Sequence, residues 1–469
     1  MIQFGTDGWR AIIAEDFTFE NVRKVAQAYA DSLKDTKKRN LKVVVGFDTR
    51  FLSPEFAKTV ASVLAANNIG VWIFKSALPS PCLCFAIKKY KFSGGIMITA
   101  SHNPANFNGI KIRTDEASPA ALTETKKIEK LFGKSKVREM DYDTALKRGK
   151  IIETDYRKEY VKYLRNYINF DVIKKSKFKI LHDAMYGTGD HLLCDILAGS
   201  NCQVDTIRGE LNPSFCGISP EPIAKNLKDS LSIMKSSKYD ICLVTDGDAD
   251  RIGAIAKGGR FLNPGWIMAL LLIHFIKNRE ETGAVVKTIS NSSLIGVIAR
   301  KFKLQVYETP VGFKHIAELM KKIDVLIGGE ESGGIGFKNY IPERDGVLSG
   351  LLLVELMAHE NKGINQIIHE VEDEFGKFYY ERVDIHYPDK LKPKLFKKLK
   401  SHPFKKVCNF EVVDIKKTDG IKIILANDSW LIFRLSGTEP ILRIYSESSS
   451  IDKVKKLVSF GKKFALSIK

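Results

Sequence analysis

Three times in succession, a short apolar strand in this chain runs directly into a loop of unusual chemistry. Residues 42–48, 70–74 and 94–99 read as strands, with helical spacing at 54–67. The pattern restarts with a strand at 178–182, a glycine turn at 187–189, a helix at 191–197 and a strand at 239–245. It restarts again near residue 263, with a helix at 264–277 and strands at 284–289, 305–308 and 325–327. Such alternation implies a parallel or mixed sheet covered by helices. Ligands of such sheets bind beyond the carboxyl ends of the strands. The end of the chain differs. Strands at 379–386, 407–415, 420–425, 429–433 and 441–446 surround one basic helix, and a helix at 452–467 closes the chain.

A single core stops growing near roughly 250–300 residues, so 469 residues imply several domains. The reading is α/β: three successive α/β domains with mixed sheets at 1–140, 155–256 and 257–370, and a C-terminal α+β domain at 375–469. The charged stretch 134–156 reads as a linker and the start of a connecting helix. The longest apolar runs, 266–276 and 348–357, are interrupted by His274 and Glu355. Both fall short of the roughly 18 residues a membrane span needs and read as buried helices, so no membrane is expected. The first residues lack the basic start and apolar run of a secretory signal. Seven scattered cysteines without a Cys-x-x-Cys motif read as reduced thiols in a cytoplasmic protein.

The net charge of +19 attracts anions, whether nucleic acid, membrane surface or phosphorylated metabolites. The densest basic run, 390–406, looks like an amphipathic helix with a solvated outer face. Nucleic-acid binding would want aromatic residues among the charges, and only Phe396 and Phe404 serve, so no nucleic-acid partner is expected.

Four loops carry chemistry. In Thr99-Ala-Ser-His-Asn-Pro104, Ser101 sits beside His102 on a tight turn. It reads either as a nucleophile or as part of a plain turn. In Asp246-Gly-Asp-Ala-Asp-Arg251, three carboxylates at alternate positions repel one another unless a cation sits among them, and hard oxygens suit Mg²⁺ or Ca²⁺. A calcium helix–loop–helix is excluded, because a strand precedes the loop and Lys257 stands where a bidentate Glu is required. Arg251 beside the acids suggests an approaching phosphate. In the glycine-rich loop 328–336, Glu330, Glu331 and Ser332 offer groups for sugar hydroxyls, or form an acidic turn. In the loop 433–440, Arg434, Ser436, Gly437 and Thr438 supply donors for a phosphate dianion, or a hairpin turn; Arg443 adds charge nearby. A hydroxyl, a hard-metal site, a polyol loop and a phosphate loop together point to phosphoryl transfer on a phosphosugar.

These loops, in this order, resemble the α-D-phosphohexomutase family of phosphoglucomutases and phosphomannomutases. The likeness extends from Phe4-Gly-Thr-Asp-Gly-Trp-Arg10 to Arg443. It implies four domains around a central cleft, with a phosphoserine at Ser101 and Mg²⁺ held by Asp246, Asp248, Asp250 and the Ser101 phosphate. It further implies sugar contacts from Glu330 and Ser332, and a phosphate grip from Arg434, Ser436, Gly437, Thr438 and Arg443. Arg10, Lys111, Arg251 and Lys314 are the cations it places around the moving phosphoryl group. Lys111, Lys314 and His102 stand as candidate bases. The implied reaction interconverts hexose 1-phosphate and hexose 6-phosphate, with glucose 1,6-bisphosphate as primer. The excess positive charge would help retain that bisphosphate. Gly334 stands where dual-specificity and glucosamine-type members carry His, and Glu330-Glu331-Ser332 looks more like the glucose-preferring members, which favours glucose, then mannose. Phosphoglucosamine mutase and a metal-dependent sugar phosphatase are the alternative enzymes, and a basic nucleic-acid-binding protein the alternative outside enzymes. Either a monomer or a homodimer fits.

Overall fold

The computed structural model describes all residues except 1, 6, 37, 38, 237, 403, 427, 436–439 and 469. Four sheets follow one another along the chain. The first runs in the order Trp9–Ile12, Phe107–Thr114, Gly94–Ile98, Lys42–Phe47, Gly70–Phe74, Ile151–Thr154. Its last four strands are parallel and the first two antiparallel additions. The second sheet is Arg260–Leu262, Ile252–Ala256, Ile241–Thr245, Lys179–Asp183, Gln203–Ile207, and the third Val306–Thr309, Ala284–Thr288, Val325–Gly329, Ile335–Phe337. Both are mixed as well. The fourth is an antiparallel sheet of six strands.

One rule repeats in the first three sheets. A fully buried parallel strand ends in a reactive loop, and the chain returns as an antiparallel strand beside it. Gly94–Ile98 returns as Phe107–Thr114, Ile241–Thr245 as Ile252–Ala256, and Val325–Gly329 as Ile335–Phe337. Burial on both faces explains the apolar runs that precede the loops. Two further strands carry little apolar signal in sequence. Phe107–Thr114 is absent from the strands read in sequence because Asn108, Lys111 and Arg113 interrupt it, yet all three are buried. The stretch read as a linker also holds a strand, Ile151–Thr154, which extends the first sheet beside Gly70–Phe74. As an edge strand it buries only Ile151 fully.

The first three units share one continuous apolar core. The helices Pro264–Lys277 and Gly346–Glu360 are apolar almost all round, as buried helices are; they pack on each other and against Ile252–Ala256 of the second unit. Asn263 and Asp345 cap their N-termini, accepting from Trp266 N (3.1 Å) and Leu348 N (2.8 Å). The fourth unit has its own core, built from one sheet face and the helices Lys392–Ser401 and Ile451–Leu466. Its other face carries Trp430, Ile432 and Tyr445 and meets Ile289 of the third unit. Among the described residues no helix is long and apolar enough to cross a membrane, and every cysteine is free.

Candidate active site

Ser101 follows the buried strand Gly94–Ile98 with φ near +52°. Its side chain is buried, and its Oγ donates to Asp246 Oδ2 at 2.8 Å. Thr99 Oγ1 accepts from Ser101 N at 2.8 Å, the local tie that closes the turn. The serine loop and the acidic loop, 145 positions apart, thus meet through one hydrogen bond.

The acidic loop spans the turn between paired Thr245 and Ile252. Asp246 Oδ1 accepts from the backbone N–H groups of Asp250 (3.0 Å) and Arg251 (3.1 Å), folding the loop over its first acid. One ligand oxygen from each of Asp246, Asp248 and Asp250 lies within 4.8 Å of the others, and all three residues are buried. Burial raises the Asp246 pKa well above the carboxylate range, and Asp250 and Asp248 push the same way. Burial acts likewise on Asp250, but Arg344, Lys111 and Arg251 outweigh it and hold this carboxyl low. Two buried oxygens, Asp248 Oδ1 and Asp250 Oδ1, have no hydrogen-bond partner. Buried carboxylate oxygens without a hydrogen bond are costly, and a hard divalent cation satisfies them. The donor set therefore fits Mg²⁺.

The cations of the site are mostly paired. Lys111, on the return strand, places Nζ 2.7 Å from Asp248, 2.6 Å from Asp250 and 3.0 Å from Asp7. Burial works against this ammonium, but the three acids outweigh it and raise its pKa. Arg251 Nε lies 3.8 Å from Asp250 and 4.0 Å from Asp246. Arg10, on Trp9–Ile12, donates to Asn103 Oδ1 at 2.9 Å. His102 is kept neutral by burial first, then by Arg251, Arg10, Arg382 and Lys111, and its Nδ1 is buried without a partner. Lys314, at the start of Phe313–Lys322, is half-buried, and burial lowers its pKa against the pull of Asp7.

The acids of the glycine-rich loop 328–336 face different partners. Glu330 is buried; its Oε1 accepts from Gly312 N (3.1 Å) and its Oε2 lies 3.2 Å from Arg344 Nη1. Burial lifts its pKa to about 7, with Arg344 opposing. Glu331 accepts from Thr288 Oγ1 at 2.9 Å, and Ser332 is half-buried beside it.

In the fourth unit, Arg434 belongs to the strand Trp430–Leu435 rather than to the loop where the sequence reading put it. The strand pattern leaves Arg443 unoriented in sequence; pairing sets it directly opposite Arg434. Alternation sends Leu431, Phe433, Leu442 and Ile444 to the helices and Arg434 and Arg443 to the opposite face. Arg434 Nε donates to Asp419 Oδ2 at 2.9 Å, and the same oxygen accepts from Val311 N of the third unit at 2.9 Å. Arg443 Nε lies 3.6 Å from Asp384. Ser436, Gly437 and Thr438 lie outside the described residues.

Sequence reasoning missed several members of the site. Arg344 bonds Asp7 and Glu330 and lies 2.9 Å from Asp250. Ser80 donates to Asp248. Arg50 grips the serine loop from behind. The available signals were indirect. Asp7 lies in the Phe4–Arg10 segment, and Arg344 stands between two acids just before an apolar helix.

Four family models match the chain in order, all described as phosphoglucomutase/phosphomannomutase: domain I at 1–139, domain II at 158–259, domain III at 263–375 and the C-terminal domain at 388–460. The phosphoglucosamine/phosphogalactosamine mutase of Sulfurisphaera tokodaii is 31% identical over 98% of both chains. The phosphoglucomutase/phosphomannomutase of Thermococcus kodakarensis is 30% identical over 98% of this chain and 97% of its own. A solved structure from Thermus thermophilus, named for phosphomannomutase, superposes with a TM-score of 0.87 at 33% identity, covering 98% of each chain.

Proposed function

This chain belongs to the phosphoglucomutase/phosphomannomutase family, the α-D-phosphohexomutases, and is an intramolecular phosphotransferase; within that class we propose that it interconverts glucose 1-phosphate and glucose 6-phosphate through a phosphorylated Ser101, with mannose phosphates second. The observation that carries this reading is the hydrogen bond from Ser101 Oγ to Asp246, inside a carboxylate trio with two buried oxygens that accept no hydrogen bond.

Phosphoserine 101 donates its phosphoryl group to the 6-hydroxyl of the hexose 1-phosphate. The bisphosphate reorients and returns its 1-phosphoryl group to Ser101. Glucose 1,6-bisphosphate primes any enzyme that has lost its phosphate. Such transfer is a problem of position and charge, with little covalent work for the protein. Mg²⁺, held by Asp246, Asp248 and Asp250, would screen charge on the phosphoryl group. Arg10 and Arg251 face its oxygens. Lys111, held as an ammonium by three acids, acts as a fixed charge; His102 and Lys314, whose protonated forms burial disfavours, are the proton acceptors. Glu330, Glu331 and Ser332 bind sugar hydroxyls, while Arg434, Arg443 and the segment with Ser436, Gly437 and Thr438 hold the phosphate that is not reacting.

The preference for glucose rests on Gly334. A Cβ there would lie 2.4 Å from Arg344 Cδ and 3.2 Å from Glu330 Oε2. Arg344 fills the space that a histidine side chain would need, so the sugar loop of this chain is built without one. The Sulfurisphaera relative, named for glucosamine and galactosamine phosphates, supports phosphoglucosamine mutase as the alternative to a glucose or mannose enzyme.

The test is a coupled assay with Mg²⁺ and trace hexose 1,6-bisphosphate, run on glucose, mannose and glucosamine 1-phosphates in parallel. The expected result is 6-phosphate formation fastest from glucose 1-phosphate and none in Ser101→Ala. Steady release of inorganic phosphate would make it a phosphatase. A faster rate with glucosamine 1-phosphate would overturn the sugar assignment.

A further inference from the structure

The backbone of the serine loop is held by a residue that never reaches the cleft. Arg50 is 1% exposed. Its Nη2 donates to Ser101 O and Asn103 O, both at 2.6 Å, and its Nη1 to Pro104 O at 2.8 Å and Phe107 O at 3.0 Å. Four donors of one guanidinium thus go to four carbonyl oxygens of one loop. Its Nε lies 3.2 Å from Asp48 Oδ2. Asp48 is in turn fixed by Ser53 Oγ at 2.7 Å and by Arg50 N at 3.0 Å.

The second unit closes this arrangement from outside. The Phe215 ring lies 4.9 Å from the guanidinium carbon; it is fully buried although Phe215 and Cys216 both have φ near +49°. Gly247 of the acidic loop approaches so closely that a Cβ there would sit 2.5 Å from Ser101 O. The Ser101 carbonyl is therefore clasped between Arg50 of the first unit and Gly247 of the second. Thr49 Oγ1, next to Arg50, donates to Tyr186 O of the second unit at 2.8 Å.

We propose that Arg50, covered by Phe215, is a positioning residue: it holds the left-handed turn at Ser101 so that Oγ points at the acidic loop, and binds serine loop and metal loop into one body. It acts through the loop backbone and touches no substrate. The inference rests on the reading that Ser101 takes and gives the phosphoryl group. A lysine cannot replace Arg50, because a single ammonium lacks the planar fork that reaches four acceptors in two directions. Displacing a reacting atom by about 1 Å can cost about 100-fold in rate, whereas substrate contacts elsewhere in the cleft are untouched.

The experiment compares Arg50→Lys, Phe215→Leu and Ser101→Ala in the full chain. It records kcat, KM, thermal melting, and the rate at which hexose 1,6-bisphosphate phosphorylates Ser101, read by intact mass. For Arg50→Lys we expect kcat to fall about 100-fold, Ser101 phosphorylation to slow by a similar factor and KM to stay near the wild-type value, in a protein that still melts cooperatively. Phe215→Leu should shift the same quantities in the same direction, but less. A folded Arg50→Lys protein with wild-type kcat and phosphorylation rate overturns the proposal, as does a loss confined to KM. If Arg50→Lys does not fold, Phe215→Leu decides, and unchanged phosphorylation in that variant overturns the proposal. An active Ser101→Ala sinks the mutase reading itself, and this inference with it. An inactive Ser101→Ala beside an unimpaired Arg50→Lys sinks only the role of Arg50.

Discussion

The cleft and the outer side of the fourth unit both concentrate positive charge, and they hold it in opposite ways. In the cleft, Lys111, Arg113 and Arg344 are buried, and each faces two or more carboxylates. On the helices Lys392–Ser401 and Ile451–Leu466, Lys397, Lys398, Lys400, Lys455, Lys456 and Lys463 are exposed and make no ion pair among the described residues. These helices cover the sheet face opposite Arg434 and Arg443. Residues 375–469 hold 21 of the 74 Lys and Arg but only 10 of the 55 Asp and Glu. More than half of the net charge therefore sits on the unit whose lysine-rich helices face away from the cleft. The charge excess, read from sequence as an aid to bisphosphate retention, is thus carried in large part on these outer helices, apart from the paired cations of the site.

Removing a partner from the paired set should have the largest effect. Asp248→Ala takes away a candidate metal ligand and one counter-charge of Lys111, and should lower kcat by about a thousandfold, since metal stabilisation is worth several kcal/mol. Retained activity that is indifferent to Mg²⁺ would show that the carboxylate trio serves only to balance charge. Arg434→Ala comes next. Losing charge-assisted hydrogen bonds of about 1.5–3 kcal/mol should raise KM by about 10- to 100-fold, with kcat changing less. An unaltered saturation curve would remove Arg434 from the phosphate grip.

The third effect is one of pH. Burial raises the Glu330 pKa from 4.5 to about 7, so the native state keeps this proton after an unfolded chain has lost it. The resulting stabilisation is complete below pH 4.5 and disappears as the pH rises through about 7. Glu330→Gln, neutral throughout, should flatten that part of the curve of Tm against pH; an identical curve would contradict the burial argument. The smallest effect belongs to the outer lysines. Changing Lys397, Lys398, Lys455 and Lys456 together to Gln should alter kcat/KM by less than about twofold, because exposed charges beyond a Debye length of about 8 Å are screened. A large loss would return those lysines to substrate capture.

Three of the four loops were legible because each follows a strand buried at every position. Gly94–Ile98, Ile241–Thr245 and Val325–Gly329 are such strands, and an abrupt change from apolar to polar marks where each opens. The return strand carrying Lys111 was not legible, because its buried residues include charges whose burial depends on partners elsewhere. The partners themselves left no local trace. Asp7 and Arg344 meet across 337 positions, and Ser80 meets Asp248 across 168. No periodicity encodes such pairs. Arg50 was hidden for a different reason: its acceptors are backbone carbonyls, which any residue supplies.

The separation of the two apolar cores has a thermodynamic consequence. The first three units share the main core, with smaller clusters in the second and third, while the fourth closes its own and meets the third through a small cluster around Trp430 and bonds such as Ser293 N to Glu447. Cooperative unfolding follows the continuity of packing. A calorimetric scan should therefore resolve two transitions, the smaller from residues beyond about 375, and a phosphosugar bound as proposed, by residues of both parts, should draw the two peaks together.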